Sequence, residues 1–525
     1  MATFRRSWRS WRAWRAAVAV AVVLGATAVA RAQPYLPQLI PTAPVPVSVV
    51  PSVVPAGYVE PQEAPPPPAD PKAGGGNAAP PTGGDPAPAP APSGDRGPPV
   101  GTGSAGAPRP SGDRGPLAAS TNDKNLTVVL GGRAQLDFVD YVVPSFLRRN
   151  IPGTNPLEDG VSFRRLRLDA SGTIYKNTDY LIQIDFVNGL TLGPGGPRST
   201  DIAVPTDAWV TFKELPVVGN IRVGNQKPLY SFEHLTSSRF LNFMERSLGF
   251  DAFAEGFNNG FEPGVSAFDT YLDKRGTWGV GLMKNTRNPF ASNVGRNELD
   301  VNARVTFLPI YEDDGKYLLH TGVGASHRDP DDGQVRFRAR FDARNSPSGL
   351  SSLVADTGLF NASKQNLIVP ELVAVAGPLS FQSEYYGSWV NGAQATVGGR
   401  PVDQGTVFFY SYYAEAHLFL TGEHRAYNRN TGVFDRVKPL KPVDWTRAGF
   451  NSWGAWQLTA RYSYLNLNDK AITGGRVNDL TLGVNWFMNQ YMKVQWNYFL
   501  ADRDVTGTAG DGIVQGFATR LAWDF

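Results

Sequence analysis

From residue 126 onward the chain alternates apolar and polar residues in segments of about ten, separated by Gly, Asn, Asp and Pro clusters, the signature of strands with one apolar face. In Val335-Arg336-Phe337-Arg338-Ala339-Arg340-Phe341-Asp342 one face is Val, Phe, Ala and Phe, and the other is three arginines and an acid. Residues 299–307 set Leu299, Val301, Ala303, Val305 and Phe307 against Asp300, Asn302, Arg304 and Thr306. Further copies run over 456–464, 480–486 and 492–500, with outward sets that include Tyr462, Tyr464, Trp486, Trp496 and Tyr498.

A soluble β-sandwich alternates too, and three features favour a membrane barrel instead. Arginines recur on the polar faces, where an aqueous lumen hydrates them without partners. Tryptophan and tyrosine gather near segment ends, as an interfacial girdle requires. The chain stops on a strand, 513–525, whose last residue is Phe525. Closing the sheet removes its edges and satisfies every backbone group inside lipid. About 17 segments qualify, and single-chain bacterial barrels have even strand numbers. The expectation is an all-β fold over residues 121–525: a transmembrane antiparallel β-barrel of 16 strands, with 18 as the alternative. One short segment, 219–226 or 366–375, is the candidate to discard.

Residues 1–32 read as a signal peptide. Arg5, Arg6, Arg9, Arg12 and Arg15 precede a nearly uncharged apolar run over 16–30, then Ala30-Arg31-Ala32 before Gln33, an A-x-A cleavage pattern. The run is too short for a spanning helix. Arg5-Arg6 invites a twin-arginine reading, but a barrel precursor crosses unfolded, which favours the ordinary secretory route. No cysteine follows the cleavage site, so no lipoprotein anchor is expected. Residues 33–120 hold 24 prolines and 13 glycines but only two aromatics, Tyr35 and Tyr58. Such a stretch buries too little apolar surface to offset its ordering entropy, and a disordered Pro-rich periplasmic tether is expected, serving as a spacer or a peptidoglycan contact.

Composition narrows the chemistry. The 525 residues contain no cysteine and five histidines, which excludes disulfide scaffolds, thiolate metal sites and cysteine catalysis. No cofactor and no metal are expected. The formal charge is +3, but six arginines and no acid lie in residues 1–32, leaving 44 bases against 47 acids; a nucleic-acid partner loses its support. His417 shares a strand face with Ser411, Tyr413 and Glu415, yet residues two apart do not form a triad, and an enzyme is not expected.

Parity puts Arg133, Arg165, Arg167, Lys213, Arg222, Arg304, Arg336, Arg338, Arg340 and Arg461 on the lumen side as pore-lining bases, with Lys493 and Arg520. Along one face successive side chains stand about 6.6–6.8 Å apart, so Arg336, Arg338 and Arg340 form a ladder able to pass an anion between weak sites; an ordinary hydrated face with cross-pore acid partners is the equal alternative. Residues 231–254 break the period, with Leu235, Phe240, Leu241, Phe243, Met244 and Leu248 suiting a short helix or folded loop. An inserted loop narrows a bore of this size, and its expected constriction residues are Lys227, His234, Arg239, Glu245 and Arg246, Glu245 holding one of the arginines.

The ordered set Phe163-Arg164-Arg165-Leu166-Arg167-Leu168, YLIQIDF over 180–186, Asp207-Ala208-Trp209-Val210, Arg222-Val223-Gly224-Asn225-Gln226-Lys227-Pro228 and Phe243-Met244-Glu245-Arg246-Ser247 resembles the phosphate-selective porin O and P family. FQSEYY over 381–386, LTGEHRAY over 420–427, WGAWQLTARYS over 453–463 and Gly483-Val484-Asn485-Trp486-Phe487 look like that family's later strands. The resemblance implies a 16-stranded outer-membrane porin, usually a homotrimer, passing small anions through a constriction made by an inward-folded loop. Phosphate selectivity in such porins is associated with basic residues, lysine included; residues 231–249 offer arginines, and Lys227 is the nearest lysine. The expected function is passive diffusion of small anions, phosphate or polyphosphate among them, across the outer membrane of a two-membrane bacterium. A general small-solute porin and a structural anchor tethering the cell wall are the alternatives.

Overall fold

The computed structural model describes residues 118–120, 125–150, 157–187, 190–193, 196–199, 203–254, 260–285, 298–345, 351–505 and 510–525. The signal peptide and almost all of the tether lie outside these. Ala118–Ser120, at the end of the tether range, pair antiparallel with residues 127–129.

Sixteen strands close into an antiparallel barrel. They are β1 (Thr127–Val142), β2 (Gly160–Ile174), β3 (Thr178–Asp185), β4 (Val204–Leu215), β5 (Gly219–Gln226) and β6 (Glu262–Tyr271). Next come β7 (Gly276–Lys284), β8 (Leu299–Glu312), β9 (Tyr317–Arg328), β10 (Lys364–Ala376) and β11 (Leu379–Val397). The circuit ends with β12 (Arg400–Phe419), β13 (Ala455–Asp469), β14 (Ile472–Phe487), β15 (Met492–Asp504) and β16 (Gly512–Asp524). Each pairs with its chain neighbours, and β16 returns to β1 from Asp524↔Arg133 to Gln515↔Val142. The two short segments, one of which was expected to be surplus, are both wall strands, β5 and β10.

Period two does what it should in the wall. On β2, Leu166 and Leu168 face outward at 38% and 53% exposure, while Arg165 and Arg167 are buried toward the lumen. On β8, Val301 and Val305 face out while Asp300, Asn302 and Arg304 face in. At one end the strands join through tight turns such as 175–177, 216–218 and 313–316. The opposite end carries most of the long connections, including 227–261 and 329–363.

Among the described residues, three of the connections fold deeply into the barrel. The first, 227–254, is almost wholly buried. The second, between β9 and β10, contains the segment expected to be an arginine-bearing wall strand. Instead Arg338–Arg340 pair with Leu353–Asp356 in a separate two-stranded sheet. Its apolar face turns inward: Val335, Phe337, Ala339 and Phe341 join a buried cluster with Tyr141, Phe253, Phe409 and Phe499. Phe337 lies 5.3 Å from both Phe253 and Phe409, ring centre to ring centre. Alternation reports two unlike faces; it does not say whether the apolar one meets lipid or protein.

The third, between β12 and β13, enters from the tight-turn end. Residues 420–426, expected in a strand, are outside any strand, and Tyr427–Asn428 pairs with Val433–Phe434 in a small hairpin. Val433 and Phe434 pack with Phe232, Leu308, Leu318, Val373 and Val375.

Candidate functional site in the barrel lumen

The first inserted segment is built from two short helices, α1 (Phe232–Leu235) and α2 (Leu248–Phe253). Ser231 caps α1, its Oγ accepting from the His234 N–H at 3.1 Å. Glu384 on β11 accepts from the N–H groups of Phe232 at 2.8 Å and Glu233 at 3.0 Å, so a wall carboxylate satisfies the donors a helix start leaves open. Glu233 in turn accepts from the Ser247 N–H at 3.0 Å and Oγ–H at 2.7 Å, tying α1 to the start of α2.

Across the lumen the wall donates to the segment's carbonyls. Asn485 reaches Asn242 O at 2.7 Å, Lys493 reaches Leu241 O at 2.7 Å, and Arg461 reaches Glu245 O at 3.0 Å. Arg520 donates to Met244 O. The segment is therefore pinned against β13–β16.

Glu245 sits among Arg164, Arg165, Arg344 and Arg520. Sequence reasoning gave it one arginine of its own segment; it meets arginines of the wall and of the second insertion instead. Burial alone pushes its carboxyl up, but the four guanidiniums outweigh that and hold it well below the usual carboxylate range.

Between this segment and the wall lies a cavity of about 210 Å³. Its lining includes Arg133, Arg164, Arg165, Arg167, Arg222, Lys227, Arg239, Arg246 and Arg304, against the acids Asp207 and Asp269. Several of these bases are already neutralised. Arg167 meets Asp185 at 2.7 Å, Arg304 meets Glu371 at 2.7 Å, and Arg239 lies 3.3 Å from Asp524. Arg133, Arg222 and Lys227 differ: among the described residues none has a carboxylate within 4.0 Å, the ion-pair limit.

Arg133 donates to Gln183 Oε1 at 2.7 Å and Ser238 Oγ at 2.7 Å. Arg222 donates through Nε to Thr211 Oγ1 at 2.9 Å, and its guanidinium lies 3.7 Å from the Trp209 ring centre. Its Nη2 is buried with no hydrogen-bond partner among the described residues. Lys227 donates to the His234 carbonyl at 2.6 Å. Burial, reinforced by Arg246, pushes the Lys227 ammonium well below its usual range, as befits a cation short of counter-charge.

Of the residues singled out by sequence, the cavity brings together Arg133, Arg165, Arg167, Arg222, Arg304, Lys227, His234, Arg239 and Arg246. Lys213 lies apart, paired with Asp179 at 3.0 Å. Arg461 is buried behind the inserted segment, bonded to Asp342. Arg336 pairs with Asp356 and Arg340 with Asp251, both on or beside the second insertion. Parity missed Arg164. A bulge where Gln135 opposes Arg165 and Leu136 opposes Phe163 leaves Arg164 as an extra residue, and its side chain joins Arg165 inside at 2% exposure.

A closed 16-strand barrel with lipid-facing apolar residues and a polar lumen narrowed by insertions is an outer-membrane porin, a channel rather than an enzyme in its architecture. Residues 128–525 match the family described as phosphate-selective porin O and P, and the chain belongs to that family. It is similar to Porin O of Pseudomonas aeruginosa, at 27% identity over 432 residues, covering 78% of this chain and 91% of that protein. Among solved structures it is similar to an anion-selective porin from Comamonas acidovorans, at 13% identity and a TM-score of 0.43, covering 76% of this chain and 100% of that one. The outer-membrane channel DcaP of Acinetobacter baumannii gives 12% identity and a TM-score of 0.45, covering 78% and 100%.

Proposed function

We propose that this porin passes small anions by diffusion, selecting them at the cavity beside the first inserted segment. The observation that carries this is the trio Arg133, Arg222 and Lys227, cations on the lining of one cavity with no carboxylate in ion-pair contact among the described residues. Cationic groups outside direct ion pairs, outnumbering the acids beside a narrow, partly desolvated passage, attract counter-ions and repel cations, because the low-dielectric wall focuses their field. The paired arginines around it form a scaffold that exchanges contacts weakly with a passing ion. Phosphate or polyphosphate is the finer reading, supported by membership of this family and by the similarity to Porin O.

In this reading the tight-turn end faces the periplasm and the long-connection end the exterior. Residues 33–120 serve as a periplasmic tether, and the working unit is a homotrimer. A bore without preference remains the rival, and reversal potential separates the two. In a planar bilayer under a potassium chloride gradient, the wild-type channel should reverse on the chloride side. The combined R133Q, R222Q and K227Q protein should lose most of that preference while still conducting. A wild-type channel with no chloride preference would reject the proposal, and the absence of stepwise current would favour a structural anchor.

A further inference from the structure

Part of the connection between β12 and β13 lies outside the barrel wall. Asp444–Thr446 pairs with Gly449–Ser452, with Trp445 opposite Phe450, so both rings share one face of a small hairpin. Their centres are 6.2 Å apart, and Phe450 stacks on Trp453 at 4.1 Å. This group is open to the surroundings: Trp445 is 58%, Phe450 45% and Trp453 56% exposed.

Its position is fixed by the outward face of the wall. The Trp453 carbonyl accepts from Trp456 Nε1 at 3.1 Å and Trp486 Nε1 at 2.6 Å. Their neighbours Gln457 and Asn485 are buried in the lumen, so the two tryptophans face out. Trp456 stacks on Trp486 at 5.4 Å and on Trp496 at 6.2 Å, forming a row near the tight-turn rim. Gly454 joins the hairpin to β13 at φ +70°, where an added Cβ would fall 2.4 Å from the Phe487 carbonyl oxygen.

We infer that this hairpin is a membrane-interface anchor, seating Trp445, Phe450 and Trp453 among the headgroups of the phospholipid leaflet at the tight-turn end. Exposed aromatic groups of this kind mark a lipid or protein partner. Hydrogen bonding to the lipid-facing tryptophan row makes the hairpin continuous with the membrane surface, and tryptophan favours the headgroup level because its ring is apolar and its N–H polar. Lys441 and Arg447 are exposed beside the aromatic residues, placed to meet lipid phosphates.

The chain has no cysteine, so Phe450→Cys offers a single thiol for a fluorophore on the full-length protein in phosphatidylcholine–phosphatidylglycerol vesicles. Val217→Cys, in an exposed turn at the same end, is the aqueous control. Lipids spin-labelled near the headgroup should quench the probe at 450 at least about threefold more than the control, with matching protection from aqueous iodide. Equal iodide quenching at both sites would overturn the anchor. Protection from both quenchers would overturn it too, by showing that protein covers the hairpin. Ala448→Cys in the hairpin turn guards against damage by the label at 450: headgroup quenching there supports the anchor, and iodide access without lipid quenching refutes it.

Discussion

Arg164 and Glu245 meet as a two-pronged pair, Nε lying 2.8 Å from Oε1 and Nη2 3.0 Å from Oε2, with both side chains 2% exposed. Arg520 reaches the same carboxylate at 2.8 Å and Arg165 at 3.5 Å. One acid of the inserted segment thus joins β2 to β16. Glu245→Gln leaves buried guanidiniums around a neutral amide, and removing one partner of a buried ion pair costs about 3–5 kcal/mol. The variant should show a lower thermal midpoint and larger, noisier single-channel currents. Wild-type behaviour in both would mean that the backbone contacts alone hold the segment.

Acid should act on the same lock. The four guanidiniums depress the folded-state pKa of Glu245, so its contribution to stability is complete above the ordinary carboxylate range. That contribution is lost as pH falls toward and through the depressed value. Current noise and susceptibility to unfolding should therefore rise on acidification below about pH 4. Glu245→Gln should flatten this dependence; an identical acid response in the variant would assign it to other carboxylates.

Glu233 carries the opposite sign. Burial pushes its carboxyl from 4.5 up to about 8, against the pull of Arg461 and with the help of Glu415 and Glu384. The folded state thus favours the protonated acid, and stability is lost as pH rises from the ordinary value through about 8. Glu233→Gln keeps an oxygen acceptor for Ser247 and removes the titration. Thermal midpoints across that window should fall in the wild type and stay flatter in the variant, and parallel slopes would refute the assignment.

These opposed carboxylates lie twelve residues apart, and nothing in the sequence distinguishes them, because their charged partners arrive from distant strands. The wall itself was legible: alternation along β2 or β8 needs only local spacing and a two-sided environment. Residues 335–342 show where that logic stops, since Phe337 and Phe341 meet protein in the lumen and present the same pattern as a lipid-facing strand. Neither this hairpin nor residues 420–426 belong to the wall, whereas β5 and β10 do. Arg164 escaped because a single bulge reverses parity locally. The broken period over 231–254 did mark the inserted segment, whose helices are too short to read individually.

Arginine position should outweigh arginine number. Arg336 and Arg340 are paired with Asp356 and Asp251, and neither lines the cavity. Replacing Arg336, Arg338 and Arg340 together by glutamine should shift the reversal potential less than replacing Arg133, Arg222 and Lys227. A larger shift from the first set would restore the ladder as the selective element and demote the cavity.

The last lock comes from the opposite end of the barrel. Arg425, 2% exposed, donates to Asn242 Oδ1 at 2.5 Å and to the Phe240 carbonyl at 2.9 Å. Its guanidinium lies 4.2 Å from the Phe434 ring centre. An insertion from the tight-turn end thereby holds the middle of the first inserted segment. Hydrogen bonds to a charged donor contribute about 1.5–3 kcal/mol, and lysine cannot reproduce the forked reach. Arg425→Gln should therefore raise single-channel conductance and lower the thermal midpoint, with Arg425→Lys only a partial rescue. Since Arg425 does not line the cavity, chloride preference should change less than conductance. Full rescue by lysine would reduce its role to charge, and a selectivity change larger than the conductance change would place Arg425 on the ion path itself.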